Sequence, residues 1–83
     1  MTVTVRYFAG ARAAAGLDAE PVELSPGDTV HDVLATIASR HGERLTKILA
    51  ASSLLLDEVA IRDRSMPLRV GAVLDVLPPF AGG

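Results

Sequence analysis

The chain of 83 residues contains no cysteine. That absence excludes a disulfide framework, a thiolate metal site, an iron-sulfur cluster and a cysteine nucleophile, and it suits a reducing compartment. Charge of one sign is also scarce. Eight Lys and Arg stand against ten Asp and Glu, a formal net charge of −2, too small to call for a polyelectrolyte partner. No cluster of basic residues interleaves with aromatics, so there is no footprint for a nucleic acid. No apolar run approaches the length of a membrane span, and the start, Met1-Thr2-Val3-Thr4-Val5-Arg6, lacks the basic region and apolar stretch of a signal peptide. The expectation is one soluble, cytoplasmic domain with neither nucleic acid nor membrane among its partners. At 49% apolar residues, a single small core can form without covalent staples.

What is present falls into a simple order of elements. Val3, Val5 and Tyr7 alternate with Thr2, Thr4, Arg6 and Phe8, the period of two that marks a strand. Gly10 to Gly16 encloses a run suited to one helical turn or a loop. Pro21-Val22-Glu23-Leu24 alternates again and stops at Ser25-Pro26-Gly27-Asp28, where Pro-Gly predicts a type II turn. The two strands suggest an antiparallel pair.

Thr29 to His41 carries the strongest helical signal. Val30, Val33, Leu34, Ile37 and Ala38 form one apolar stripe, Thr29 and Asp32 match a variant capping box, and Gly42 is placed to end the helix in the left-handed conformation. Leu45, Ile48 and Leu49 predict a further amphipathic turn or two. Ser53–Leu56 and Glu58–Ile61 read as two small strands or one bent one, Met66–Gly71 as a loop, and Ala72–Leu77 as a last strand stopped by Pro78-Pro79. One helix laid across one mixed sheet is the simplest way to bury both apolar faces.

The ending Pro78-Pro79-Phe80-Ala81-Gly82-Gly83 is the first candidate site. The final glycines supply no turn, and the prolines bias the tail toward an extended form. At roughly 3 Å per residue the six residues span about 15–20 Å. A Gly-Gly end threads a channel too narrow for side chains, and what it delivers is a carboxylate, unreactive until activated as an acyl-adenylate. The chemistry asks nothing of side chains on this chain.

A second candidate is an apolar contact surface of Phe8, Leu77 and Phe80 beside the tail, on the sheet face opposite Leu74 and Val76. His31 and His41 lack a third ligand at metal spacing and read as surface residues, with His41 in the last helical turn; no metal site is expected. Asp57-Glu58 and Arg62-Asp63-Arg64 read as solvated turns, and Lys47 as exposed helix surface. Gly10 and Gly16 make no phosphate loop.

From Val3 to Gly83 the chain resembles the small, sulfur-carrying subunit of molybdopterin synthase (MoaD), in the ubiquitin-like sulfur-carrier superfamily that also holds the thiamine carrier. The resemblance rests on Tyr7-Phe8-Ala9-x-x-Arg12, Thr29-Val30, Pro67-Leu68-x-x-Gly71 and above all Leu77-Pro78-Pro79-Phe80-Ala81-Gly82-Gly83. It implies an α+β, ubiquitin-like β-grasp: a mixed sheet of four to five strands, first and last strands parallel at its centre, one main helix on it, with residues 1–77 as the domain and 78–83 as a flexible tail.

The resemblance further implies a sulfur cycle. A ubiquitin-E1-like adenylyltransferase would use ATP to adenylate Gly83, and a persulfide donor would convert it to a thiocarboxylate. The tail would then enter the large catalytic subunit of the synthase, in a heterotetramer, and give sulfur to cyclic pyranopterin monophosphate. Gly83 would carry the sulfur; Gly82, Ala81, Phe80, Pro79 and Pro78 would thread the channel; Leu77, Phe8 and Arg12 would meet the partner. The chain would hold no permanent cofactor and catalyse nothing by itself. Ala72-Val73 stands where the family usually has an acidic pair, and Asp57-Glu58 lies in a region where it often has Asn. A carrier for thiamine, cysteine or another sulfur metabolite, and a ubiquitin-like protein modifier, are the alternatives.

Overall fold

The structure, a computed structural model, describes residues 1–79. Its elements are β1 (Thr2–Tyr7), α1 (Ala9–Ala15), β2 (Ala19–Glu23), α2 (Val30–His41), α3 (Glu43–Ala51), β3 (Ser53–Leu56), β4 (Val59–Ile61) and β5 (Val73–Leu77). The strands form one five-stranded sheet in the order β2-β1-β5-β3-β4. β1 and β2 pair antiparallel, β1 and β5 pair parallel with Val5 opposite Leu74, and β3 pairs antiparallel with both β4 and β5. This is the ubiquitin-like β-grasp, with five strands and the expected parallel pair next to its centre.

Alternation in β1 and β5 sends Val3, Val5, Tyr7, Leu74 and Val76 to one face, where they are buried with Val30, Val33, Leu34 and Ile37 of α2 and Leu45 and Leu49 of α3. α2 begins as its sequence predicts. The Thr29 hydroxyl accepts from the Asp32 backbone N–H at 3.3 Å, and the Asp32 carboxylate accepts from the Thr29 N–H at 2.7 Å. These bonds hold the Asp32 carboxyl below the usual carboxylate range, the Thr29 backbone contributing most.

Three local expectations change. The run between Gly10 and Gly16 is a seven-residue helix, closed by Gly16 in the left-handed conformation. Gly42 has φ 89° but ψ −166°, outside the left-handed helical region, because it ends α2 and serves as the N-cap of α3 at once. The chain must reverse there without an intervening loop, and that backbone is open essentially to glycine alone. The amphipathic turn or two expected at Leu45, Ile48 and Leu49 is a nine-residue helix.

The hairpin between β3 and β4 turns on Asp57 and Glu58, both with positive φ (47° and 70°). A two-residue hairpin loop demands this geometry even where neither residue is glycine. Asp57 is less solvated than its sequence suggests. Its carboxylate accepts from the Val73 N–H at 2.9 Å and its own N–H donates to the Val73 carbonyl, fastening the hairpin to the start of β5. The Val73 bond, more than nearby Arg69, holds its carboxyl below the usual range. Arg64 is likewise structural: its guanidinium donates to the carbonyls of Leu49 and Ser52, closing the end of α3.

Candidate functional site

β5 is flanked on both sides, by β1 and β3, so its course is among the most constrained in the sheet. It ends at Leu77, and Pro78 and Pro79, which cannot donate to a ladder, follow directly. The chain therefore leaves the ladder at the end of β5, with Pro78 and Pro79 next to Gly10, Ala11 and Ile48. Phe80, Ala81, Gly82 and Gly83, the residues on which most of the sequence-derived site rests, lie outside the described residues.

At that end Phe8 caps the transition from β1 to α1, and its N–H donates to the Val76 carbonyl at 3.1 Å. This bond fixes Phe8 beside the last residues of β5. Phe8 is 36% exposed, one of three large exposed apolar side chains among the described residues, with Val59 and Val70. Leu77 is half-buried. With Pro78, Pro79, Gly10, Ala11 and Ile48 it lines an apolar groove of about 230 Å³ between α1, α3 and the end of β5. The structure thus brings Phe8, Leu77 and both prolines to one end of the sheet. Arg12 stands on α1, exposed and paired loosely with Asp18 at 3.5 Å. A larger cleft of about 450 Å³ shares Pro79 with the groove and is edged by Arg62 and Arg64.

Two clusters escaped the sequence reading. The first lies on the open sheet face. Arg6 of β1 donates from Nε and Nη2 to the two carboxylate oxygens of Asp75 on β5, at 2.6 and 2.7 Å. Asp75 is 4% exposed, although alternation with the buried Leu74 and Val76 puts it on the side away from the helices. The Arg6 guanidinium is held more firmly protonated by the Asp75 hydrogen bond and charge. No local pattern announces this pair, since its members are 69 positions apart.

The second joins β1, β2 and the end of α2. Glu20 accepts from the Tyr7 hydroxyl at 2.5 Å and from Arg40 at 2.9 Å, and its carboxylate lies 2.5 Å from His41 Nε2. Tyr7 and His41 meet edge to face at 5.9 Å between centroids. His41 is thus half-buried in a hydrogen-bonded cluster, not a surface residue serving the helix end. Burial raises the Glu20 carboxyl, but the bonds from Tyr7, His41 and Arg40 outweigh it and the net direction is down. Burial first, and Glu20 second, push the Tyr7 hydroxyl far above its ordinary value. The cluster pins β2 and the helix to the sheet.

Among the described residues no group of three or more His, Cys, Asp or Glu is placed to hold a metal ion, and no helix is long and apolar enough to cross a membrane.

Residues 5–83 match the ThiS family. The chain is 30% identical, over the full length of both proteins, to the molybdopterin synthase sulfur carrier subunit of Chlamydomonas reinhardtii. Among solved structures it superposes with a TM-score of 0.84 and 30% identity on a Pyrococcus furiosus protein described as molybdopterin converting factor, subunit 1, covering 95% of this chain and 98% of that one. A complex of subunits 1 and 2 of the molybdopterin-converting factor from Helicobacter pylori matches with a TM-score of 0.68 at 24% identity, covering both chains completely, a likeness of fold alone.

Proposed function

Because this chain belongs to the ThiS family, we propose that it is the sulfur-carrying small subunit of a molybdopterin synthase, with sulfur borne on Gly83. The observation that carries this reading is the end-to-end match with the Chlamydomonas sulfur carrier subunit, at 30% identity. The geometry supports it. Phe8 is hydrogen-bonded to Val76 of the central strand, and Leu77, Pro78 and Pro79 line a groove at the same end of the sheet.

In this reading the carboxylate of Gly83 is adenylated by a ubiquitin-E1-like adenylyltransferase with ATP, releasing pyrophosphate. The terminal sulfur of a persulfide donor then displaces AMP to give an acyl disulfide. A second thiol cleaves its S–S bond, leaving a disulfide on the donor side and a thiocarboxylate on Gly83. Gly82, Ala81 and Phe80 lead it into the large catalytic subunit, where it serves cyclic pyranopterin monophosphate, while Phe8, Leu77 and Arg12 meet the partner surface. The carrier supplies position and cargo; the catalysis belongs to its partners. Two carriers at opposite ends of a dimer of large subunits make the assembly a heterotetramer.

Intact-mass measurement tests the reading. After incubation with ATP, the activating enzyme and a sulfur donor, replacement of one oxygen by sulfur adds about 16 Da. An unchanged mass with the partners of its own organism would sink it, and recovery of isopeptide-linked conjugates would favour a protein modifier instead.

A further inference from the structure

The sheet has two faces of different character. Val3, Val5, Tyr7, Leu74 and Val76 lie buried toward the helices, whereas Thr4, Arg6, Val73 and Leu55 face the other way and are half-exposed or exposed. Asp75 is the exception on that second face: a nearly buried carboxylate in the middle of the sheet, level with Arg6 on one side and Leu55 on the other.

Stability is a poor reason for a carboxylate in that position. Asp75 is nearly buried while Arg6 stays 45% exposed. An ion pair with a desolvated member adds little net stability over apolar residues of similar size, so its geometry is the more telling feature. Here the geometry is specific. Asp75 occupies Nε and Nη2 of Arg6, the side-on fork, and the guanidinium carbon lies 5.8 Å from the centroid of the Phe8 ring. The group is thereby held in one orientation between a carboxylate and an aromatic face. Its Nη1 donates to nothing among the described residues, and Arg6 is 45% exposed.

A partner covering this face strips water from Nη1 and has to supply an acceptor, because an unmet buried donor is costly. The local charge decides which kind. Arg6 also borders a notch of about 260 Å³ lined by Asp57, Glu58 and Val73, and Arg69 reaches Asp57 at 3.3 Å. Asp75, Asp57 and Glu58 against Arg6 and Arg69 leave an excess of one negative charge. A further carboxylate is repelled there; an uncharged oxygen is not.

We propose that Arg6 is the polar anchor of the open sheet face, and that the partner seated there presents a neutral carbonyl oxygen to its Nη1 within an otherwise apolar surface. The inference rests on the carrier reading above and names the large synthase subunit as that partner. Asp75 is a positioning residue for Arg6, and Phe8 is the apolar contact beside it.

The test is calorimetric titration of the full chain into the large subunit from the same organism, with three variants. Arg6→Ala removes the anchor, Arg6→Lys keeps the charge without the fork, and the double variant Arg6→Leu/Asp75→Leu keeps a well-paired sheet without either. Each is expected to bind at least about tenfold more weakly than wild type. Between roughly 0.05 and 0.5 M salt, wild type and the double variant are expected to lose affinity by the same factor to within about threefold, because the Arg6 bond joins no opposite charges across the interface. A folded double variant within about twofold of wild type overturns the anchor, even if Arg6→Ala fails to fold. A distinctly steeper loss of affinity with salt for wild type than for the double variant overturns the neutral acceptor. If wild type neither binds nor transfers sulfur, the carrier reading falls and this inference with it. If wild type does both and the double variant matches it, this inference alone falls.

Discussion

Arg6 and Asp75 face each other across the two parallel central strands, joined by a two-point hydrogen-bonded ion pair at 2.6 and 2.7 Å. Parallel pairing of β1 with β5 is what brings residues from opposite ends of the chain level. The pair is also a stability probe. Arg6→Ala alone leaves the Asp75 carboxylate desolvated without its partner, so it should unfold at lower urea than wild type. The Arg6→Leu/Asp75→Leu double variant should unfold at or above the wild-type concentration. Urea midpoints of the two variants check this.

Gly42 offers a backbone test. Its φ of 89° and ψ of −166° lie in a region that L side chains avoid, although a Cβ there would meet no neighbouring atom within 4 Å. Gly42→Ala should therefore cost about 1–3 kcal/mol through strain alone. Denaturant unfolding with an unchanged m-value measures it. A neutral result would mean that the α2–α3 junction relaxes freely.

Acid should loosen the β2–α2 clasp. The Glu20 carboxyl is held below its ordinary value near 4.5, so its ionised form favours the folded state. That contribution is fully present above about pH 4.5 and is lost as the pH falls through the lower folded value. Thermal midpoints measured from pH 6 down to pH 3 should fall for wild type. They should fall less for Glu20→Gln, which starts lower because Tyr7 and Arg40 lose their charged acceptor.

Core packing gives the largest expected effect. Leu45 is fully buried in α3, and Leu45→Ala should cost about 2–5 kcal/mol. The corresponding drop in unfolding free energy, read by circular dichroism, would confirm that α3 belongs to the main core.

Removal of Gly83 should leave that core untouched and end the chemistry. The variant should melt with wild-type behaviour, yet gain no mass on sulfur loading and support no product formation. Sulfur transfer by the shortened chain would refute the proposal for Gly83.

The strands and the helix α2 were legible in the sequence, because strand and helix signals are local, whereas α1 and the full length of α3 were not. Alternation across Val3, Val5 and Tyr7 marked β1, the stripe from Val30 to Ile37 with the Thr29/Asp32 cap marked α2, and Pro78-Pro79 marked the end of β5. The same ending, Pro78 to Gly83, carried the family resemblance that the match over residues 5–83 bears out. What the sequence could not disclose is what sits beside what. His41 looked like a surface histidine until β1 and β2 brought Tyr7 and Glu20 to it, and Arg64 looked solvated until α3 ended within reach. Alternation in β5 says only that Asp75 points away from Leu74 and Val76; parallel pairing is what sets Arg6 against it. Periodicity reports which way a side chain points. Only the register between strands far apart in sequence decides which charges meet, and at what distance.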